Sequence, residues 1–109
     1  MAGEHVIQAT DADFDSVVLQ SEVPVLVDFY TTWCGPCKAI APVIEELAAA
    51  YEKRARIVKV NVDEAMQTGS KYGVMSVPTL LIFKDGQVVD QMMGAAPRPK
   101  LQQFLEKHL

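Results

Sequence analysis

An apolar, β-branched run, "PVLVDFY" (residues 24–30), is followed within a few residues by "WCGPCK" (33–38) and then by a long helical pattern. This strand–turn–helix succession constrains the chain more than any other feature. The run has few polar residues, as expected of a strand covered on both faces. The helical pattern is carried by Ile40, Val43, Ile44, Leu47, Ala48 and Tyr51, which form one apolar stripe at i, i+3, i+4, i+7, i+8 and i+11. Both cysteines of the chain fall at the junction, where the strand gives way to the helix. Pro42 lies inside the helical stretch and is expected to kink it.

The rest of the chain repeats the alternation. "HVIQAT" reads as a short first strand. "DADFDSVVLQ" follows as a helix, with Asp11 or Asp13 as its start signal and Phe14, Val17 and Val18 at helical spacing. "RIVKVNVD" is a third strand. Residues 65–72 read as a short helix broken near Gly69 and Gly73. "TLLIF" is a fourth strand, and "KDGQ" is a hairpin signal, because Asp-Gly suits a turn that needs positive φ. "VVDQMMG" returns as the fifth strand. A last helix opens near "PRPK" and carries Leu101, Phe104, Leu105 and Leu109 on one face. The expected order is β-α-β-α-β-α-β-β-α in an α/β domain with a mixed sheet and helices on both faces.

The chain has 109 residues, half of them apolar and 22% charged, with a net charge of −4. That is one domain's worth, 1–109, able to bury a core without disulfide staples. The acidic balance argues against a nucleic-acid or anionic-membrane surface. The one basic cluster, Lys53, Arg54 and Arg56, reads as a solvated helix end. No window is long and apolar enough for a membrane span. The segment "MAGEHVIQ" shows no secretory signal pattern, so the expectation is a cytoplasmic protein. There a close cysteine pair is redox-catalytic or metal-binding rather than structural.

Two sulfurs at a helix start meet unpaired backbone N–H groups and the positive end of the helix dipole. Both favour a thiolate, so at least one of Cys34 and Cys37 is expected to be nucleophilic. Residues i and i+3 of a helix hold their β-carbons about 5–6 Å apart. A disulfide needs roughly 3.5–4.5 Å, so a small adjustment of the first turn lets the pair open and close. Pro36 is tolerated there because the N–H it lacks would be unpaired, and Gly35 leaves room for a partner's backbone. Zinc is the rival use of the pair. It needs four ligands, usually from two close pairs, and the only other candidates, His5 and His108, stand at opposite ends of the chain. A pair of buried small hydrophobes is the plain alternative.

Asp28 shares a sheet face with Leu26 and Tyr30 by period-two alternation. It stands in an apolar strand six residues ahead of Cys34. Burial raises a carboxyl pKa, which suits Asp28 to trade a proton with Cys37 near neutrality. Equally, Asp28 can be a structural partner of Lys59 on a neighbouring strand. Both readings stay open at this level.

"WCGPCK", with "VDF" upstream and "KVNVD", "SVPTL", "FKDG" and "GA" following in order, resembles the thioredoxin family over essentially the whole chain. The resemblance implies a thioredoxin fold with sheet order 1-3-2-4-5 and strands 4 and 5 antiparallel. It implies a general protein-disulfide reductase in which Cys34 is the exposed nucleophile and Cys37 the resolving thiol. Asp28 would be the buried acid and Lys59 its modulator. Pro78 would be a cis-proline facing the cysteines. Trp33, Gly35, Pro36, Val77, Pro78, Gly94 and Ala95 would receive the substrate. No bound cofactor or metal is implied beyond the redox-active pair. The implied partners are a thioredoxin reductase drawing on NADPH and disulfide-containing proteins, met by a monomer. An oxidant or isomerase on the same fold, or a non-enzymatic peptide-binding module, are the alternatives. Tyr30, Thr31 and Thr32 depart from the family's usual Trp, Ala and acidic or polar residue, and Met75 and Ser76 depart at the groove's border.

Overall fold

The computed structural model describes residues 5–109. The start of "MAGEHVIQ", residues 1–4, lies outside the described residues. Five strands form one mixed sheet: β1 Ile7–Ala9, β2 Val25–Tyr30, β3 Arg56–Asn61, β4 Thr79–Lys84 and β5 Gln87–Met93. Their order is β1-β3-β2-β4-β5. β1 and β2 both run parallel to β3, while β4 is antiparallel to β2 and to β5. The β4–β5 turn is the one read from "KDGQ": Asp85 has φ 54° and Gly86 φ 79°. Two successive positive φ values match the right-handed twist of the flanking strands, and Asp-Gly accommodates them at little strain.

β2 is central, and Val25, Leu26, Val27, Asp28 and Phe29 are all buried. Its side chains alternate between two cores. On one face Leu26, Ile57, Leu80 and Ile82 pack against Ile40, Ile44 and Leu47 of α1 (Gly35–Ala50) and Leu101, Phe104 and Leu105 of α3 (Arg98–Glu106). On the other face Val27, Phe29, Val58, Val60 and Leu81 pack against Phe14 and Val18. There the rings of Phe14, Tyr72 and Phe83 meet one another at 5.1–5.7 Å. Each fully buried large aliphatic contributes roughly 1.5–3 kcal/mol. The two cores together hold β2, and hence the start of α1, in a fixed place.

α1 runs on through Pro42, which removes the bond its N–H would have given to the Lys38 carbonyl. Four local expectations are corrected. "DADFDSVVLQ" forms only a single π-helical turn, Asp15–Leu19. Asp11 does not start that turn. Its carboxylate caps α2 (Met66–Lys71), accepting from the Thr68 N–H at 2.8 Å and the Thr68 hydroxyl at 2.7 Å. Those bonds hold the Asp11 carboxyl below the usual carboxylate range. Gly69 does not break α2 but lies inside it, where a β-carbon would meet Val62 at 3.3 Å. The Val62 side chain lies tight against the helix backbone there, which leaves little room for anything but a glycine. Leu109 lies beyond α3 and is exposed. Among the described residues no helix is long and apolar enough to cross a membrane.

Candidate active site

The site is built where β2 ends and α1 begins. Cys34 is the N-cap of α1, in extended conformation, and Gly35, Pro36 and Cys37 are its first three residues. The Cys34 carbonyl accepts the N–H of Lys38 at 3.1 Å, the first turn of the helix. The Cys34 sulfur accepts the N–H of Cys37 at 3.1 Å. It thereby takes the place that a Ser or Asp oxygen takes in an ordinary N-cap. Cys34 and Cys37 are joined as a disulfide, with their α-carbons 5.3 Å apart. Pro36, in the first turn, lacks a donor that would have had no acceptor.

The leading cysteine is less accessible than the resemblance implies. Cys34 is 5% exposed and Cys37 4%, whereas the neighbouring Trp33 is 71% exposed. The side chain of Trp33 does not swing freely, because its Nε1–H donates to Asp63 Oδ2 at 2.9 Å. Asp63 follows β3 and is oriented in turn by its own N–H, which donates to Asn61 Oδ1 at 2.9 Å. No local pattern singles out Asp63, since its partner lies thirty residues away. Its place at the end of "KVNVD" is the only available signal.

The loop before β4 closes the other side. The Val77–Pro78 peptide bond is cis. The Val77 carbonyl oxygen lies 3.7 Å from the Cys34 sulfur. The Pro78 carbonyl accepts the N–H of Gly94 at 2.8 Å, which binds this loop to the end of β5. Gly94 has φ 86°, open to glycine with no β-carbon to strain it. Ala95, Gly35 and Pro36 are exposed, Val77 is half-buried and Pro78 is buried. A cavity of about 330 Å³ runs along Trp33, Asp63, Met75, Ser76 and Val77.

Beneath this surface Asp28 is fully buried, and neither of its carboxylate oxygens has a hydrogen-bond partner. Desolvation pushes its pKa up to about 7, against a smaller opposing pull from Lys59. Lys59 is the register partner of Asp28 on β3. Of the two readings left open, direct pairing with Lys59 is absent, and the Lys59 ammonium instead lies over the Tyr30 ring, 4.3 Å from its centre. Lys59, Tyr30, Thr31, Thr32, Lys38 and Cys37 line a second cavity of about 260 Å³.

The two histidines are engaged elsewhere. His5 Nδ1 lies 2.8 Å from Glu52 Oε2, and His108 Nε2 lies 2.8 Å from Asp90 Oδ2. Among the described residues no three His, Cys, Asp or Glu side chains converge as ligands for a metal.

A reversible cysteine pair at a helix N-terminus, on a mixed five-stranded sheet and above a buried acid, defines a thiol–disulfide oxidoreductase. Residues 5–107 match the family model described as thioredoxin. The chain is 56% identical over 102 residues to thioredoxin 1 of Nostoc sp., covering 94% of this chain and 95% of that protein. It is 59% identical over 104 residues to a thioredoxin of Staphylococcus aureus, covering 95% and 98%. The chain belongs to the thioredoxin family. Its electrons are carried by the Cys34–Cys37 pair itself, and that pair fits a protein-disulfide reductase.

Proposed function

We propose that residues 1–109 form one thioredoxin domain that reduces disulfides in other proteins in the cytoplasm, as a monomer, and is recharged by a thioredoxin reductase. In the reduced form the Cys34 thiolate attacks a substrate disulfide. A Cys34–substrate disulfide forms and one substrate thiolate leaves. Cys37 loses its proton and attacks the Cys34 sulfur, which re-forms the internal disulfide and releases the second substrate thiolate. Two electrons pass to the substrate, and two protons from the medium complete its thiols. The reductase returns two electrons to the Cys34–Cys37 bond.

The single observation that carries this order of events is the 3.1 Å hydrogen bond from the Cys37 N–H to the Cys34 sulfur. An N-cap donor aimed at that atom stabilises negative charge on it, so Cys34 is the better thiolate. Asp28 is the proton acceptor for Cys37. A carboxyl near pKa 7 changes charge in the working range. Lys59, its register partner, lines the same cavity as Cys37 and moderates the acid. Trp33, Gly35, Pro36, Val77, Pro78, Gly94 and Ala95 form the rim that receives an extended substrate segment across the disulfide.

The test is turnover of a disulfide-bonded test protein with NADPH and a thioredoxin reductase. Reduction at a rate proportional to this protein supports the proposal. No turnover by a protein whose cysteines are intact and reducible would replace it with a peptide-binding role.

A further inference from the structure

Leu26 of β2 and Ile57 of β3 are register partners in one core. Two residues further along each strand, Asp28 and Lys59 are again register partners and share that side of the sheet. Tyr30, two residues beyond Asp28, lies on the same side. A lysine in register with a buried carboxyl is placed to close on it. Here neither Asp28 oxygen has a hydrogen-bond partner among the described residues, and the Lys59 ammonium sits over the Tyr30 ring, 4.3 Å from its centre. Tyr30 is half-buried, and it lines one cavity with Lys59 and Cys37. Lys38 of α1 is a second cation on that cavity, and Leu80 is the partner of Asp28 on β4. Gln8 of β1 and Glu64 beyond β3 act on the Tyr30 hydroxyl, as does Asp28 itself.

Two groups therefore compete for one ammonium. The negative face of an aromatic ring attracts a cation, more strongly where water is partly excluded. A carboxylate in contact would take the same ammonium as a charge-assisted hydrogen-bond donor. We propose that Tyr30 is a positioning residue for the buried acid: its ring face seats the Lys59 ammonium near Asp28 but out of bonding contact, and so keeps Asp28 able to take a proton from Cys37 and give it up again. A contact ion pair would hold the carboxyl ionised and make it a poorer proton acceptor. With the ammonium on the ring, desolvation is the larger influence and Lys59 the smaller, opposing one. Tyr30 acts through Lys59 and Asp28, by its ring and not by its hydroxyl.

The role in proton transfer rests on the function proposed above, while the seating of Lys59 does not. The experiment compares wild type with Tyr30→Phe, which keeps the ring, and Tyr30→Leu, which removes it. Both substitutions are also made in a Lys59→Met background. The Asp28 carboxyl carbon is titrated by NMR in the oxidised protein, which needs no turnover. The pH profile of kcat for a protein disulfide is then measured for the same variants.

Tyr30→Leu is expected to lower the Asp28 proton affinity about tenfold, roughly one pH unit, as Lys59 closes on the carboxylate. The acid limb of the pH profile should move to lower pH by the same amount. Tyr30→Phe should titrate like wild type. In the Lys59→Met background Tyr30→Leu should have no such effect, because no ammonium is left to release. An Asp28 titration unmoved or raised by Tyr30→Leu would overturn the inference. So would an equal fall with and without Lys59, the result if loss of the ring merely admits water to the acid. If Tyr30→Leu does not fold, Tyr30→Met gives the same comparison. A wild-type protein that titrates as described but turns over no disulfide would refute the proposed function instead.

Discussion

Lys59 faces Asp28 across the parallel β2–β3 register, yet its ammonium rests 4.3 Å from the centre of the Tyr30 ring, and Asp28 accepts no hydrogen bond. The ring holds the cation near the carboxyl without a direct bond between them. Desolvation therefore outweighs attraction, and the acid keeps its proton up to about pH 7.

Asp28 makes the fold less stable at neutral pH than it need be. Its folded pKa is raised from 3.8 to about 7. Below about pH 4 both the folded and unfolded chains hold the proton, so the group is neutral to stability. Between there and pH 7 the unfolded chain ionises first, and stability falls as pH rises. Asp28→Asn is expected to stabilise the protein at pH 7.5 by up to about 4 kcal/mol, with little effect near pH 3.5. Denaturant titrations at the two pH values check this. Equal effects at both would show that the acid is not responsible.

Removing the nearby cation acts on the same group. Lys59→Met is expected to raise the Asp28 pKa above about 7, because Lys59 supplies the opposing downward pull. The readout is the carboxyl carbon chemical shift of Asp28 followed by NMR through about pH 5–10, a window that lies between the ordinary carboxyl and lysine titrations. A downward move would mean that the Tyr30 ring, not the charge, governs the acid.

Asp63 orients Trp33 through one hydrogen bond of 2.9 Å. Asp63→Ala should leave the fold intact and release the ring. The fluorescence anisotropy of Trp33, the only tryptophan in the chain, should fall. KM for a protein disulfide should rise about threefold, as expected for loss of one exposed bond, with kcat little changed. An immobile ring in the variant would remove Asp63 from the account.

Cys37→Ser leaves Cys34 to attack but nothing to resolve the product. Stable mixed disulfides with substrates are expected, visible as added mass that a reductant removes. Cys34→Ser should give none, and both variants should turn over at the rate of the blank. Adducts on Cys37 in the Cys34→Ser protein at wild-type speed would reverse the two roles.

Much of the architecture is legible in local spacing. The apolar stripe from Ile40 to Tyr51, the Asp85–Gly86 turn and the helix start at the cysteines all follow from neighbours a few residues apart. The strand order does not, and it came from the resemblance to the family. Contacts between distant segments are equally hidden. Asp11 looks like the start of its own helix and caps α2 instead, since a carboxylate serves any unpaired N–H within reach. Lys59 looks like a partner for Asp28 because both lie on neighbouring strands, but the pattern does not show that Tyr30 competes for the ammonium. The Cys34 sulfur also meets the Val77 carbonyl, 43 residues further along the chain, and no spacing near the cysteines reports on that.

The covalent link between Cys34 and Cys37 fastens two positions of a single helical turn. It joins no strand to another and no helix to the sheet. Tension, heat or denaturant applied to the chain is resisted by the sheet and its two apolar layers, which the link does not cross. The protein can therefore be emptied and refilled with electrons many times while its scaffold stays the same object.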